Sequence, residues 1–213
     1  MPLSKTAQPV LVTRRAAALG VAFAASRPGH AAVPDDWREH PALRPWRATL
    51  RAPLPLEAPV TMDGRSMSLR AWLAARPAVL VLWATWCGPC LSEKRRQAQL
   101  AARLRAAGAA AQILALQVFD EAMPLQARAT LSRLGAEGLT TARAGPAAER
   151  GFVAAFGPTQ SSQRRTPLPA LALVDSQGAA LAGMVGAQPR SGAAGGDYWA
   201  DGATLDFLMR FRG

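Results

Sequence analysis

The sequence predicts an α/β domain in which a central β-sheet is flanked by helices. Short apolar runs at 78–83, 112–119 and 170–174 have the length and composition of buried strands. Stretches with helical spacing of apolar residues lie between them. The only two cysteines, Cys87 and Cys90, stand where the first apolar run gives way to a predicted helix. Open α/β sheets place their functional sites at such strand ends.

The elements in the first half follow from local signals. Residues 32–59 are rich in proline and are expected to be extended. Asp63-Gly64 is a strong signal for a tight hairpin turn, because both residues tolerate a positive φ. The strand at 78–83 is apolar on both faces, which indicates a central position in its sheet. In order, we expect a hairpin turn at 62–66, a helix at 68–73, a strand at 78–83, a helix at 91–107 ending near Gly108 and a strand at 112–119.

The second half continues the alternation of helix and strand. Helices are expected to end at Gly135 and Gly157, because glycine favours the left-handed position that closes a helix. Residues 175–178, Asp-Ser-Gln-Gly, have the composition of a tight turn between paired strands. Residues 192–196 are expected to form a flexible loop. The predicted elements are helices at 124–134, 147–156 and 203–212 and strands at 139–141, 170–174 and 180–185.

The N-terminus has the features of a secretory leader. Three basic residues precede an apolar run at 16–25, small residues follow, and no acidic residue stands before Asp35. The run is shorter than the roughly 18 residues that a membrane span needs. We therefore predict a leader at 1–31, with partial likeness to a twin-arginine signal, an extended segment at 32–59 and one domain at 60–213. A disordered basic tail or a retained anchor is the alternative.

The chain is strongly basic, with a formal net charge of +11. Nucleic acid is a usual partner of such charge, but the basic stretches lack interleaved aromatic residues and any recognition motif. We therefore expect no nucleic-acid binding. The basic residues of the second predicted helix are expected to form a solvated face, with acidic partners or anionic lipid as the alternative. These residues are Lys94, Arg95, Arg96, Arg103 and Arg105.

Cys87 and Cys90 form a C-x-x-C pair within Ala-Thr-Trp-Cys-Gly-Pro-Cys at 84–90. At a strand-to-helix junction the first sulfur lies at the positive end of the helix dipole, beside unpaired N–H groups that stabilise a thiolate. Pro89 suits the first helical turn, where an N–H would be unpaired anyway. The second sulfur, one turn further on, is close enough to close a disulfide. This pattern predicts thiol–disulfide exchange.

Other uses of a cysteine pair fit the sequence less well. A zinc site needs about four ligands, and the chain offers only His30 and His40 besides the cysteines. A c-type haem site needs His directly after the second cysteine, where Leu91 stands. A purely structural disulfide of this size is not favoured, because so small a loop restrains little of the unfolded chain. No metal and no cofactor are expected.

With these motifs the chain resembles the thioredoxin fold, and within it the exported TlpA/ResA/DsbE-like oxidoreductases. The segment 80–90, followed by Glu93, carries most of this resemblance. The runs at 62–69, with Asp-Gly, and 169–178, with Pro, strand and Asp-x-x-Gly, are also similar to the family. The resemblance covers about residues 55–212. It implies a thioredoxin-like fold, with a central mixed sheet flanked by helices, an N-terminal β extension and a helical insert.

The resemblance also implies the roles of the reacting residues. Cys87 would be the exposed attacking thiolate and Cys90 the buried resolving thiol. Glu93, three residues after Cys90, matches an acid that these exported proteins place near the pair, where it would move a proton to or from a cysteine sulfur. The alternative for Glu93 is an exposed first-turn residue that complements the helix dipole.

A substrate-binding surface around the pair follows from the same resemblance. The Leu168–Pro169 bond would be cis and packed against the disulfide, and the backbone of Leu168 would pair with a substrate peptide as an added strand. Pro167 is the other candidate for a cis proline. The expected substrate-binding residues are Trp86, Gly88, Pro89, Leu168 and Pro169.

Two departures from the family pattern bear on the site. Val81 stands where cytoplasmic thioredoxins carry a buried Asp, which removes a proton acceptor from the strand. Lys94 and Arg95 stand where an apolar residue and a proline are usual, which predicts a straighter and more basic helix. These departures leave the thiol chemistry intact and the substrate open.

The sequence thus predicts a periplasmic thiol–disulfide oxidoreductase, soluble or anchored by its leader, that reduces disulfides in client proteins. The Gly88-Pro89 spacer is that of reducing members of the family. The resemblance implies disulfide- or thiol-containing protein substrates and a membrane electron donor of the DsbD/CcdA type. The alternatives are a copper-handling protein of the Sco type, whose site resembles C-x-x-x-C with a distant His, and a redox-inactive peptide-binding module.

Overall fold

The computed structural model describes residues 40–43, 46, 50–157, 165–186 and 198–212. Within these ranges seven strands and five helices form, and Pro41–Leu43 makes one 3-10 turn. The strands are β1 (Pro59–Met62), β2 (Arg65–Ser68), β3 (Ala78–Trp83), β4 (Gln112–Gln117), β5 (Thr140–Ala144), β6 (Ala170–Val174) and β7 (Ala180–Val185). The helices are α1 (Leu69–Leu73), α2 (Gly88–Ala106), α3 (Pro124–Arg133), α4 (Pro146–Phe156) and α5 (Gly202–Arg210).

The strands form one mixed sheet in the order β2-β1-β5-β4-β3-β6-β7. β3 is an interior strand of this sheet: it pairs parallel with β4 and antiparallel with β6, and all six of its residues are buried. Its apolar composition on both faces explains this, because either face meets a layer of helices. The predicted mixed sheet flanked by helices is confirmed, and the predicted bounds of β3, β6 and β7 match those observed.

The N-terminal β extension is a hairpin of β1 and β2 joined by Asp63 and Gly64, whose φ values are 51° and 77°. Two positive φ angles are what a tight turn matched to strand twist requires. β1 also pairs antiparallel with β5, so the hairpin lengthens the main sheet. The Ser68 hydroxyl then accepts a hydrogen bond from the Ala71 N–H at 3.1 Å and caps α1.

Some element boundaries differ from those expected, each for a local reason. α2 starts at Gly88 rather than at residue 91, because Cys87 acts as its N-cap and Pro89 occupies its first turn. β4 ends at Gln117 rather than at residue 119, where Phe119 has a φ of 52°. β5 reaches Ala144 rather than residue 141, because it pairs with β1 as well as with β4.

Two hydrophobic clusters lie on opposite faces of the sheet, since alternate residues of β3 enter each. Leu80 and Leu82 join the cluster of α1 and α4, which we call the α4 side. Val81 and Trp83 join the cluster of α2, α3 and α5, which we call the α2 side. The cysteine pair belongs to the α2 side.

The C-terminal residues close the α2 side together with the 3-10 turn. Tyr198 Oη accepts a hydrogen bond from the Trp46 indole N–H at 2.6 Å, and the ring of His40 lies 5.2 Å from that of Phe207. The predicted leader at 1–31 and the predicted loop at 192–196 lie outside the described residues. In the part of the chain that is described, no helix has the length and apolarity needed to cross a membrane.

Candidate active site

The cysteine pair lies at the junction between β3 and α2. Cys87 is the N-cap residue of α2, with extended backbone angles, and its Sγ accepts a hydrogen bond from the Cys90 N–H at 3.2 Å. The two residues form a disulfide, with Cα atoms 5.2 Å apart. An N-cap sulfur faces the unpaired N–H groups and the positive dipole of the first turn. The same position would stabilise a Cys87 thiolate once the disulfide is reduced.

The two cysteine residues differ little in exposure. Cys87 is 4% exposed and Cys90 is 1% exposed. In this disulfide form Cys87 packs within the apolar cluster that holds Trp83 and Ala84, and the exposure of a Cys87 thiolate in the reduced protein stays a prediction. The resolving residue Cys90 is buried, as expected.

Trp86 provides the exposed surface beside the pair. Its side chain is 54% exposed, although its indole N–H donates to the Phe119 carbonyl at 2.9 Å. The Arg165 guanidinium lies 5.8 Å from the indole ring centre, within range of a cation–π contact. Gly88 and Pro89 are also exposed. The hydrogen bond and the cation–π contact hold the flat, apolar ring of Trp86 in place next to the cysteine loop.

Asp120 fixes the loop that carries Trp86, a role that sequence reasoning missed. Its carboxylate accepts hydrogen bonds from the backbone N–H of Thr85 at 2.5 Å, from the Thr85 hydroxyl at 3.0 Å and from the Ala122 N–H at 3.0 Å. Burial raises the pKa of Asp120, but these hydrogen bonds, with one from Gln117, outweigh it and hold the pKa below 3.8. A polar residue just after a predicted strand end was the available signal.

Pro169 lies on the neighbouring strand end. Ala170 pairs with Leu82, so Pro169 comes next to Trp83 at the carboxyl end of β3. The Leu168–Pro169 peptide bond is cis and Pro169 is buried, whereas Leu168 is half-buried. The Pro169 carbonyl accepts a hydrogen bond from the Gly186 N–H at 2.8 Å. The register thus brings the predicted 168–169 segment to the same sheet edge as the cysteine loop.

Glu93 lies in the core, one helical turn beyond Cys90. It is 2% exposed, and its Oε2 accepts hydrogen bonds from the Gln97 amide and from the Trp199 indole N–H, each at 3.2 Å. The alternative of an exposed first-turn Glu93 is therefore wrong. Trp199, which sequence reasoning left without a role, reaches this carboxylate from 106 residues away.

Lys94 is also buried, with 0% of its surface exposed. Its Nζ donates to Gln97 Oε1 at 2.9 Å and lies 5.0 Å from the ring centre of Trp83. Burial lowers the pKa of Lys94 from 10.5 to about 7, against the opposing attraction of Glu93. The expectation that Lys94 belongs to a solvated basic face is wrong, whereas Arg95 on the same helix is exposed.

The spacing along α2 explains this burial and was the missed signal. Residues 90, 93, 94, 97, 100, 101 and 104 recur at intervals of three and four, and all are buried. The apolar members predict the inward face, and the charged members lie on the same face. Val81, 0% exposed on β3, brings no acid to this side. Ionisable groups therefore reach the neighbourhood of the cysteine pair from α2, as Glu93 and Lys94, and from the residue Asp120 after β4, which binds Thr85.

The described residues contain no group of three or more His, Cys, Asp or Glu side chains placed to hold a metal ion. His40 packs on Phe207, and its Nδ1 accepts a hydrogen bond from the Ala42 N–H at 3.2 Å. His30 lies outside the described residues.

The architecture and the position of the cysteine pair define a thioredoxin fold. No protein-family model and no curated protein matches the sequence. Among solved structures, a Chlorobium tepidum protein assigned as thiol:disulfide interchange protein DsbE is 21% identical, with a TM-score of 0.52 over 76% of this chain and 98% of that one. A thiol:disulfide interchange protein of the thioredoxin family from Chlorobium tepidum TLS is 20% identical, with a TM-score of 0.50 over 74% of this chain and 97% of that one. These likenesses establish the fold.

Proposed function

We propose that this protein is an exported thiol–disulfide oxidoreductase that reduces disulfides in client proteins. The observation that carries the proposal is the Cys87–Cys90 disulfide at the N-terminus of α2. There the helix end stabilises the thiolate that exchange requires, and the partner sulfur lies one turn away. The solved proteins named as thiol:disulfide interchange proteins share this fold.

The first step is the attack of reduced Cys87. Its thiolate sulfur bonds to one sulfur of a substrate disulfide, and the other substrate sulfur leaves as a thiolate that takes up a proton. The product is a mixed disulfide between Cys87 and the substrate. In the disulfide form Cys87 has no free thiolate, so reduction of the pair must precede this attack.

The second step is resolution by Cys90. Its thiol passes a proton to the Glu93 carboxylate, and its sulfur bonds to Cys87 Sγ while the substrate leaves as a thiolate. When this second thiolate also takes up a proton, the substrate disulfide has gained two electrons and two protons, and the protein ends as the disulfide observed here. Glu93 suits this role because it is buried on the same face of α2, one turn from Cys90.

The substrate is a protein chain that docks on the edge beside the pair. Trp86 offers an exposed flat ring, and Gly88 and Pro89 leave space beside it. The backbone at Leu168, next to Pro169, is suited to pair with an extended peptide, since it lies at the same strand end. The Leu168 backbone would then bind the substrate backbone while the substrate disulfide lies next to Cys87.

The direction and location of the reaction rest on the sequence. The Gly88-Pro89 spacer favours reduction, which in turn needs a donor of electrons; a membrane donor of the DsbD/CcdA type would restore the dithiol. The leader-like segment 1–31 supports export to the periplasm, where a lone cysteine pair rests oxidised unless a donor reduces it. Residues 60–213 would form the redox domain.

Reduction of insulin by dithiothreitol, with and without the protein, tests this proposal. The wild type should accelerate the reaction and Cys87→Ser should not. Cys90→Ser should accumulate a mixed disulfide with insulin, visible as a mass increase that a reductant removes. If the wild type matches dithiothreitol alone and Cys90→Ser forms no adduct, the oxidoreductase proposal is wrong and a redox-inactive binding module is favoured.

A further inference from the structure

Lys94 is an unusual residue in this chain. The sequence holds 25 basic residues, of which only Lys5 and Lys94 are lysines. Lys94 is fully buried, although the exposed cations around it on α2 are arginines. Lysine loses its charge on burial far more readily than arginine, which stays protonated under almost all conditions. Among the described residues Lys94 is thus the one lysine, and it lies in the core.

The contacts of Lys94 set the orientation of Gln97. The Lys94 ammonium donates to the amide oxygen of Gln97 at 2.9 Å, and the amide nitrogen of Gln97 donates to Glu93 Oε2 at 3.2 Å. An amide turned the other way would present its NH₂ to the ammonium and its oxygen to the carboxylate, which are two repulsive contacts. The cation therefore holds the amide so that a donor faces Glu93.

Glu93 thereby gains donors suited to a carboxylate. Gln97 and Trp199 each donate to Oε2, and the Lys94 charge lies one amide away. Hydrogen bonds to the charged form and a nearby opposite charge both favour an ionised acid in the core. Glu93 and Lys94 lie one turn beyond Cys90 on the same buried face of α2, so a charge fixed here lies on the face that carries the resolving cysteine.

Few other ionisable groups lie on the elements that pack on this face. β3 and β4 carry none, α3 carries Arg128 and Arg133, which are both exposed, and Asp120 after β4 is bound to Thr85. Tyr198 is buried, which raises its pKa and keeps it neutral, and its oxygen accepts from Trp46. Asp201 caps α5 through the Ala203 N–H at 3.1 Å. The remaining groups on the 3-10 turn side and the C-terminal segment are His40, Asp206, Arg210 and Arg212, and the last three are exposed.

We propose that Lys94 is a positioning residue for proton transfer, which through Gln97 holds the Glu93 carboxylate ionised so that it takes the Cys90 proton. The Cys90 S–H bond breaks and the proton goes to Glu93. The sulfur electron pair forms the bond to Cys87, and the substrate sulfur leaves with the electrons of the mixed disulfide. This inference rests on the proposed function and adds to it a residue outside the cysteine motif.

The lowered pKa of Lys94, about 7, agrees with this arrangement, because an ammonium at that position is sensitive to the charges near it. Reduction adds a thiolate at the pair, and the Lys94 ammonium should then hold its proton more tightly. Nitrogen-15 lysine labelling gives a simple side-chain spectrum, since the sequence has only two lysines and Lys5 lies in the predicted leader. The signal lost in Lys94→Met belongs to Lys94.

The titration of that signal in the oxidised and reduced protein is the first test. We expect the Lys94 midpoint to lie well below the ordinary lysine value of 10.5 and to move upward on reduction. Identical Lys94 midpoints in the two redox states would overturn the inference, because the charge state of the cysteine pair would then have no effect on the pKa of Lys94. This measurement uses the native chain and does not depend on a variant folding.

The second test is the rate at which Cys90 resolves the mixed disulfide with glutathione, followed by acid quench and mass. Lys94→Met should slow resolution about tenfold at pH 7, because Glu93 then binds its proton more tightly, and the rate should recover as the pH rises. Arg95→Met, at an exposed neighbouring cation, should leave the rate unchanged. Glu93→Gln should be slow at every pH, and adding Lys94→Met should change nothing further.

The outcomes separate the two proposals. An active wild type with a slow Glu93→Gln variant, but a Lys94→Met variant whose pH profile is unchanged, would limit Lys94 to packing and overturn this inference alone. A wild type that forms no mixed disulfide would overturn the proposed function itself. Lys94→Gln, which keeps a polar side chain, serves in place of Lys94→Met if the latter does not fold, and the same slowing is expected.

Discussion

The two faces of the central sheet bury different kinds of side chain. On the α4 side every buried residue of α1 and α4 is apolar, and Leu80, Leu82 and Phe152 are at 0% exposure. On the α2 side the helix that supplies Leu100 also buries Glu93 and Lys94. Apolar burial stabilises without regard to direction, whereas a buried charge needs a partner in a defined geometry. Both sides hold an apolar core that stabilises the fold, and our proposal places the thiol chemistry on the α2 side, where α2 buries charged residues beside the cysteine pair.

The difference extends to where the partners lie along the chain. The charged groups of α2 form hydrogen bonds with Gln97 on the same helix and, for Glu93, with Trp199 of the C-terminal segment. Replacing a buried ion pair by apolar residues is often neutral or stabilising, so such a pair is weak support for a structural role. Its position beside the redox pair gives it a chemical role in our account.

The largest effect on stability is expected from the α4 side. Phe152→Ala should lower the free energy of unfolding by about 3–5 kcal/mol, because it removes a fully buried ring and leaves a cavity. Urea denaturation measures the loss. The reduction potential of the Cys87/Cys90 pair in the folded variant should stay at the wild-type value. A changed potential would show that packing on the α4 side also affects the cysteine pair.

The next effect is expected from the charged cluster. Glu93→Leu should cost about 3 kcal/mol, because it leaves Lys94 buried without its carboxylate neighbour. Adding Lys94→Met should recover most of that loss, since the buried cation is then gone as well. A double-mutant cycle in urea measures the coupling. Losses that simply add would show that the two residues act independently.

A smaller effect is expected from pH. The pKa of Lys94 is about 7 in the folded protein and 10.5 when unfolded, so between these values the unfolded chain binds more protons. Stability should therefore rise with pH across this window, by at most about 1.4 kcal/mol per pH unit. Urea midpoints from pH 7 to 10 measure it. Lys94→Met should reduce the dependence of the free energy of unfolding on pH. Phe152→Ala should lower the free energy of unfolding by the same amount at every pH and leave that dependence unchanged.

The smallest effect on stability is expected at Trp86, which belongs to the surface of the α2 side. Trp86→Ala should change the free energy of unfolding by no more than about 0.5 kcal/mol, because the side chain is 54% exposed. The KM for a disulfide peptide should rise about tenfold if the ring is a contact for substrate. An unchanged KM would remove Trp86 from the proposed docking surface.

The α4 side and the sheet were predictable from the sequence to a large extent. The strands 78–83, 170–174 and 180–185 are continuous apolar runs, and the Asp63-Gly64 turn has a strong local signature, so local rules suffice there. The cysteine pair was predictable for the same reason, because its chemistry depends on two residues three apart at a strand end. The start of α2 was missed by three residues, because the cap is a cysteine.

The charged part of the α2 side was less predictable. Glu93 was expected near the pair from a resemblance, but its burial and that of Lys94 were missed, because the run of basic residues at 94–96 suggested a solvated face. The partner Trp199 is separated from Glu93 by 106 residues, and no local pattern joins them. Contacts of this kind are set by tertiary packing alone.

The midpoint potential of the Cys87/Cys90 couple tests the central claim most directly. Equilibration in graded thiol buffers, alkylation of free thiols and measurement of the mass shift give the fraction reduced. Our account predicts a reversible two-electron transition near about −250 mV or lower, in the range of thioredoxin-like reductants. A value near about −120 mV would make the protein an oxidant and contradict the proposed direction. The absence of any reversible transition would contradict the oxidoreductase proposal as a whole.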